Sequence, residues 1–331
     1  MTNRLDEKNT ITILGCDPGG IRGAATASCI KHLNTSLDGG LLDNVDVFCG
    51  TSIGSFISAY LADGGDSRRL VDMFVSGELA SSIFNKTWSY KMLQNVPVLN
   101  HFAMKYTGDN KQAFCKKFWG DRRISNVQKG LLITTYDITR RSPVFWNNFG
   151  DHPFDPLVSE VVDASTAAPS YFPPVMIRSS KIHGKEPEYY EDIVRMRAPH
   201  FLDYHVDGGV ANHFPGILAY AMLKKKYPLK MIKLISIGTG FNTREIHHGT
   251  RSPMSWISND LVGVLVDGPS QTLGAVSDIM LGSNFVRLNG MLTEEQSVMD
   301  NISEPNIQSL VNVGQEWAQK GRDEVRALLE M

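Results

Sequence analysis

The chain has 331 residues, 42% hydrophobic and 21% charged, with a formal charge of −2. This is a globular composition, long enough to bury a large core without disulfide or metal support. Near neutrality, with Lys and Arg spread along the chain, excludes an electrostatic nucleic-acid footprint.

The N-terminal stretch MTNRLDEKNT is polar and predicts no secretory leader. The apolar run Ile11–Cys16 predicts a strand, and Gly23–Leu33 a helix. Between them stands Asp17-Pro18-Gly19-Gly20-Ile21-Arg22-Gly23. Successive glycines let backbone N–H groups turn toward one point, as in an oxyanion hole or a phosphate nest. A dinucleotide loop of the G-x-G-x-x-G kind is the other reading. It fails because Pro18 occupies the first glycine position and no ribose-binding acid ends a second strand.

Val45–Cys49 predicts the next strand and Gly54–Ala62 the next helix. They flank Gly50-Thr51-Ser52-Ile53-Gly54, which is G-x-S-x-G at a strand-to-helix turn. A strained turn of this kind projects the serine hydroxyl outward. The helix that follows aims its N-terminal amides at the serine and favours developing negative charge. A plain glycine-rich turn is the alternative. The strand before and the helix after favour Ser52 as a nucleophile.

Further on, Gln112–Trp119 predicts a helix, and Leu131–Ile138 and Pro143–Trp146 predict strands. The polar stretch Arg178–Pro199 reads as an insertion loop. Phe201–Val206 predicts a strand ending in Asp207-Gly208-Gly209. Alone, that is best read as an Asp-Gly turn. Ser52 needs a base, however, and an acid at a strand end followed by two glycines suits that task. Gly216–Lys226 predicts a helix, Lys233–Ile237 a strand, Ser255–Leu281 one or two helices and Pro305–Leu329 a final helix. Alternating strands and helices predict an α/β fold with a mainly parallel central sheet and helices on both faces. Ligands in such sheets bind outside the carboxyl ends of the strands. A single domain over 1–331 is expected, with a motif-bearing core over about 11–240 and a helical part over about 253–329.

Cys16, Cys29, Cys49 and Cys115 form no C-x-x-C pair, and Cys16 and Cys49 end apolar runs. Buried thiols in a reducing compartment are the expectation. No apolar run approaches the roughly 20 residues that span a bilayer. Membrane contact is therefore expected to be peripheral, and the location cytoplasmic or at a membrane surface. Acids and histidines show no metal-ligand spacing and there is no calcium loop, so neither metal nor cofactor is expected. The usual base would be a histidine. His205, His213, His247 and His248 are available, but none lies in a catalytic motif, and each reads as an ordinary histidine.

These elements, in this order, resemble the patatin-like phospholipase family. Ala164–Pro174 resembles the family's alanine-proline stretch, and Ser236-Ile237-Gly238-Thr239-Gly240 its Gly-Thr-Gly strand end. Tyr106–Ser125 and Met299–Asn306 also resemble family segments, so the resemblance covers nearly the whole chain. It implies a three-layer α/β/α fold and a Ser–Asp dyad. Ser52 would form the acyl-enzyme, and Asp207 would take its proton and later activate water. The amides of Gly19 and Gly20 would stabilise the oxyanion, with Asp17, Arg22, Gly23, Gly50, Gly54, Gly208 and Gly209 supporting the motifs. One departure stands out. Pro18 replaces the first of three glycines; it has no N–H and fixes φ near −65°. If only Gly19 and Gly20 donate, Pro18 stiffens the loop. The implied substrates are fatty acyl esters of phospholipids or related glycerolipids such as galactolipids. Trp88, Met92, Val96, Phe102 and Met104 read as core or as an acyl groove. Two alternatives stay open: a small-ester hydrolase or acyltransferase on the same scaffold, and a storage or binding protein impaired at Pro18.

Overall fold

The computed structural model describes residues 5–84, 105–150, 155–178, 202–242 and 261–330. The candidate groove residues Trp88, Met92, Val96, Phe102 and Met104, most of the expected insertion loop, and His247 and His248 lie outside them.

The main sheet has eight strands. They are β1 (Thr10–Cys16), β2 (Val47–Thr51), β3 (Gly130–Asp137), β4 (Ser142–Asn147), β5 (Val175–Arg178), β6 (Leu202–Asp207), β7 (Met231–Ile237) and β9 (Phe285–Leu288). Their order is β5-β6-β3-β2-β1-β7-β9, with β4 also paired to β3. The five strands β3, β2, β1, β7 and β9 run parallel. β4, β5 and β6 are antiparallel to their neighbours. A second, two-stranded sheet pairs β8 (Phe241–Asn242) with β10 (Met291–Leu292).

Alternation along the strands makes two cores. Ile11, Ile13, Val47, Cys49, Leu132 and Leu234 face one way, against Phe214, Ala219 and Leu223 around the helix Pro215–Lys226. Leu14, Cys16, Phe48, Leu131, Ile133, Ile235 and Ile237 face the other way. That second face is covered by the helices Gly23–Ser36, Ile53–Ala62, Ser67–Val75 and Glu304–Leu329. A period of two, with both faces apolar, is what a sheet buried between helical layers requires. The expected mainly parallel α/β fold with helices on both faces is the fold observed.

The register of β3 places the site. One edge of β3 pairs with β4 over Leu132–Asp137. Along the other edge, β2 pairs as far as Thr51 with Thr134, and β6 pairs from Asp207 with Thr135. β2 and β6 therefore run toward each other on that edge and end head to head. Ser52 and Asp207 stand on the two sides of this seam. The rule about carboxyl ends still holds, but Asp207 reaches the site from the opposite direction.

Candidate active site

Ser52 lies between β2 and the helix Ile53–Ala62, with φ 55 and ψ −129. That conformation is sparse for a residue with a side chain and marks stored strain. Its Oγ donates to Asp207 Oδ2 at 2.6 Å. The other carboxylate oxygen, Oδ1, accepts the Gly209 N–H at 2.7 Å. The two oxygens thus divide their tasks: one anchors the turn and one faces the serine. Asp207 is buried. Burial pushes its carboxyl up from 3.8 to about 6, against the opposing pull of the Ser52 hydroxyl, the Gly209 amide and the Lys111 ammonium. A carboxylate destabilised in this way is a stronger base than a solvated one.

Gly54 explains why the elbow needs its glycines. A Cβ there would stand 2.1 Å from the Cys16 carbonyl oxygen and 2.8 Å from that of Asp17. The elbow and the start of the glycine-rich loop are therefore in backbone contact. Gly50 and Gly208 are equally crowded, against Gly54 and Thr134 backbone, and Gly23 against the Ile53 side chain. Gly54→Ala is expected to destabilise the fold by about 2–3 kcal/mol, because backbone rather than a flexible side chain blocks it. A lowered urea midpoint checks this.

The backbone angles of the glycine-rich loop bear on Pro18. The left-handed position falls on Gly20, with φ 60, and Pro18 is not among the residues of positive φ. The Pro18 carbonyl accepts the Thr239 hydroxyl at 2.6 Å, which ties the loop to the Gly-Thr-Gly strand end. Among the described residues the amides of Gly19 and Gly20 take part in no backbone hydrogen bond. Both remain available as donors. Arg22 is buried; its Nε donates to the Gly19 carbonyl at 3.4 Å and its Nη2 stands 3.8 Å from Asp267. It braces the loop from behind. Asp17 accepts from Arg287 and from Ser270, the latter at 3.0 Å. These contacts tie the start of the loop to Arg287 and Ser270. Gly209 lies near Pro18, since a Cβ on it would come 3.8 Å from the Pro18 Cβ. The three motifs converge.

The histidines separate cleanly. His205 is buried, and its Nδ1 stands 3.0 Å from Thr135 Oγ1, which itself accepts the Trp146 indole N–H at 2.8 Å. His205 and Trp146 thus share the Thr135 hydroxyl, away from the Ser52–Asp207 pair. Burial pulls the His205 pKa down to about 4, so the ring is neutral near pH 7. His213 is buried and lines a small pocket that Asp17, Pro18 and Arg22 also line. Among the described residues no histidine hydrogen-bonds Ser52 or Asp207. Asp137, Asp203 and His205 are close enough to share a cation. The Arg140 guanidinium already bridges the two carboxylates, at 3.0 and 2.9 Å, and supplies that charge. All four cysteines are buried and free, and burial pushes Cys16 up to about 12.

Two residues near the site were not visible in the sequence. Lys111 is buried, and its ammonium contacts the Asp163 carboxylate and carbonyl. Ser165, buried at the end of the helix Val158–Ser165, accepts the Ser52 N–H at 3.0 Å. Both lie in segments with a family resemblance, but neither type of residue signals a role by its spacing.

No helix among the described residues is long and apolar enough to cross a membrane. Comparison with known proteins identifies the family. The family model for patatin-like phospholipases matches residues 16–220. Patatin-like protein 2 of Oryza sativa is 25% identical over 92% of this chain and 83% of its own length. Patatin-17 of Solanum cardiophyllum is 24% identical over 94% and 84%. Among solved structures, human GIVD cytosolic phospholipase A2 superposes with a TM-score of 0.48 at 10% identity, over 97% of this chain and 62% of that one. The chain belongs to the patatin-like phospholipase family, whose general chemistry is lipid acyl hydrolysis.

Proposed function

We propose that this protein cleaves fatty acyl ester bonds of phospholipids or related glycerolipids through a Ser52–Asp207 dyad. The observation that carries the reading is the 2.6 Å hydrogen bond from a strained elbow serine to a buried carboxylate. Ser52 Oγ attacks the ester carbonyl carbon as its proton passes to Asp207 Oδ2. The oxyanion that forms is met by the amides of Gly19 and Gly20; one such donor contributes about 2.7–4 kcal/mol in known acyl enzymes. The carbon–oxygen bond to the leaving alcohol breaks, and Asp207 returns the proton to that alcohol. Water then repeats the sequence on the acyl-enzyme, with Asp207 as base, and releases the fatty acid. A substrate of this class resides in a bilayer, so the reading includes peripheral contact with a lipid surface.

Phosphatidylcholine vesicles, short soluble esters and a fluorophosphonate probe together test this. The expected result is fatty acid release from vesicles and probe adduct on Ser52. Activity on short esters alone would move the assignment to a small-ester hydrolase. Acyl transfer to an added alcohol in preference to water would make it a transferase. A folded protein that takes no probe would end the enzyme reading and leave a binding or storage role.

A further inference from the structure

One short segment holds the backbones of both dyad residues. Ser165 Oγ accepts the Ser52 N–H at 3.0 Å and donates to the Thr134 carbonyl at 2.7 Å. A hydroxyl has a single proton. Here it goes to Thr134, so a lone pair of Ser165 is left aimed at Ser52. Two residues on, the Ala167 carbonyl accepts the Asp207 N–H at 2.9 Å. Thr134 and Thr135 are the β3 residues on either side of the seam, paired with Thr51 and Asp207. Ser165 therefore spans the break in the ladder that the seam creates.

The segment is itself fixed. Thr166 N–H bonds the Val162 carbonyl and Ala167 N–H the Ala164 carbonyl, each at 3.1 Å. The Lys111 ammonium ties the Asp163 carboxylate and carbonyl together and reaches Thr166 Oγ1 at 3.3 Å. Ser165, Lys111 and Asp163 are all buried. Breaking such a buried pair on one side is strongly destabilising, so the segment has little freedom to shift.

The strain at Ser52 gives this clamp a task. A non-glycine residue at φ 55 persists only where its surroundings over-determine it. The Ser52 N–H lies at the helix N-cap, where no intrahelical partner exists. The Ser165 hydroxyl supplies that partner. We infer that Ser165 is a positioning residue, and that the segment Asp163–Ala167 sets the spacing of Ser52 and Asp207 by gripping both backbones. This rests on the proposed dyad, and it gives part of the alanine-proline stretch a role at the site.

Ser165→Ala tests the inference, with Ser165→Cys as a weaker hydrogen-bonding replacement and Ser52→Ala as control. Steady-state kinetics on phosphatidylcholine vesicles, the fluorophosphonate labelling rate and the melting temperature are measured for each. The expected result for folded Ser165→Ala is a fall of roughly 10- to 100-fold in kcat and in labelling rate alike, the scale of a misplaced reacting group. KM is expected to stay unchanged, and Ser165→Cys to fall between Ala and wild type. Full kcat and labelling in folded Ser165→Ala would overturn the inference. So would a raised KM with unchanged kcat, which is the mark of a substrate contact. If Ser165→Ala does not fold, Ser165→Cys decides on the same two readouts. Ser52→Ala separates the two levels: inactivity there with full activity at Ser165→Ala rejects the clamp alone, whereas an active Ser52→Ala rejects the dyad beneath it.

Discussion

Ser52→Ala is expected to lower phospholipid hydrolysis by roughly 10⁴- to 10⁶-fold, the range seen when the nucleophile of a serine hydrolase is removed. Probe labelling should vanish with it. The fold should survive, because Ala meets the same backbone restriction at φ 55 that Ser already tolerates. Some stability is lost at neutral pH. The Ser52 hydroxyl donates to Asp207 and is among the groups that hold its carboxyl down. Without it, Asp207 stays buried and loses a charge-assisted hydrogen bond worth about 1.5–3 kcal/mol. The urea midpoint at pH 8 is therefore expected to drop, and the midpoint at pH 4, where Asp207 is protonated in both proteins, to drop less. Residual activity within tenfold of wild type would remove Ser52 from the mechanism.

Asp207→Asn is expected to change activity and stability in opposite directions. Hydrolysis should fall by up to about 10⁴-fold, the upper end for a lost general base. In the wild type, only the ionised carboxylate accepts the serine proton, so kcat/KM should fall about tenfold per pH unit below about pH 6. Stability behaves differently. The native pKa is raised from 3.8 to about 6, so the folded state binds more protons than the unfolded state between those values. The contribution of Asp207 is most favourable below about pH 4 and is lost as pH rises through about 6. The total is about 3 kcal/mol at 1.36 kcal/mol per pKa unit. Asn keeps the shape without the charge. Asp207→Asn should therefore match the wild type at pH 4 and exceed it by up to about 3 kcal/mol at pH 8. Equal urea midpoints at pH 8 would show that ionising Asp207 carries no such penalty, and would remove the basis for its raised basicity.

The sequence placed the strand-to-helix turn at Gly50–Gly54 well, and for a physical reason. An apolar strand, a glycine-bounded serine and an apolar helix each carry a local signal, and the observed helix begins at Ile53, one residue before expectation. Asp207 was legible as an acid at a strand end. Its direction of approach was not, because strand polarity relative to a neighbour depends on long-range pairing. β5 and β9 have four residues each, too few to show alternation. The helix Ser67–Val75 begins among polar residues, with Asp66 accepting the Arg68 N–H as its cap, and reads locally as a turn. Lys111 opens a helical segment where a lysine normally meets solvent. Its burial is set by Asp163, 52 positions away. At Pro18 two readings stood, a damaged hole or a stiffened loop, and the left-handed backbone angle on which they turned lies two residues later, at Gly20, a position that only the folded loop reveals.

The head-to-head ending of β2 and β6 also bears on how the activity comes into being. The serine and its partner are 155 positions apart in the chain. Closing a loop of that length costs on the order of 4 kcal/mol of chain entropy, and only the completed sheet repays it. A chain in which β1, β2 and β3 have already paired holds a hydroxyl with nothing to take its proton. Such a species is chemically silent toward esters, whatever surface it touches. During refolding, the first turnover marks the moment when β6 docks. Through the proposed dyad, ester hydrolysis is thus a clock for the docking of β6, one of several long-range assembly steps, and a chain that has not reached it is latent by topology, with no need of a separate inhibitor.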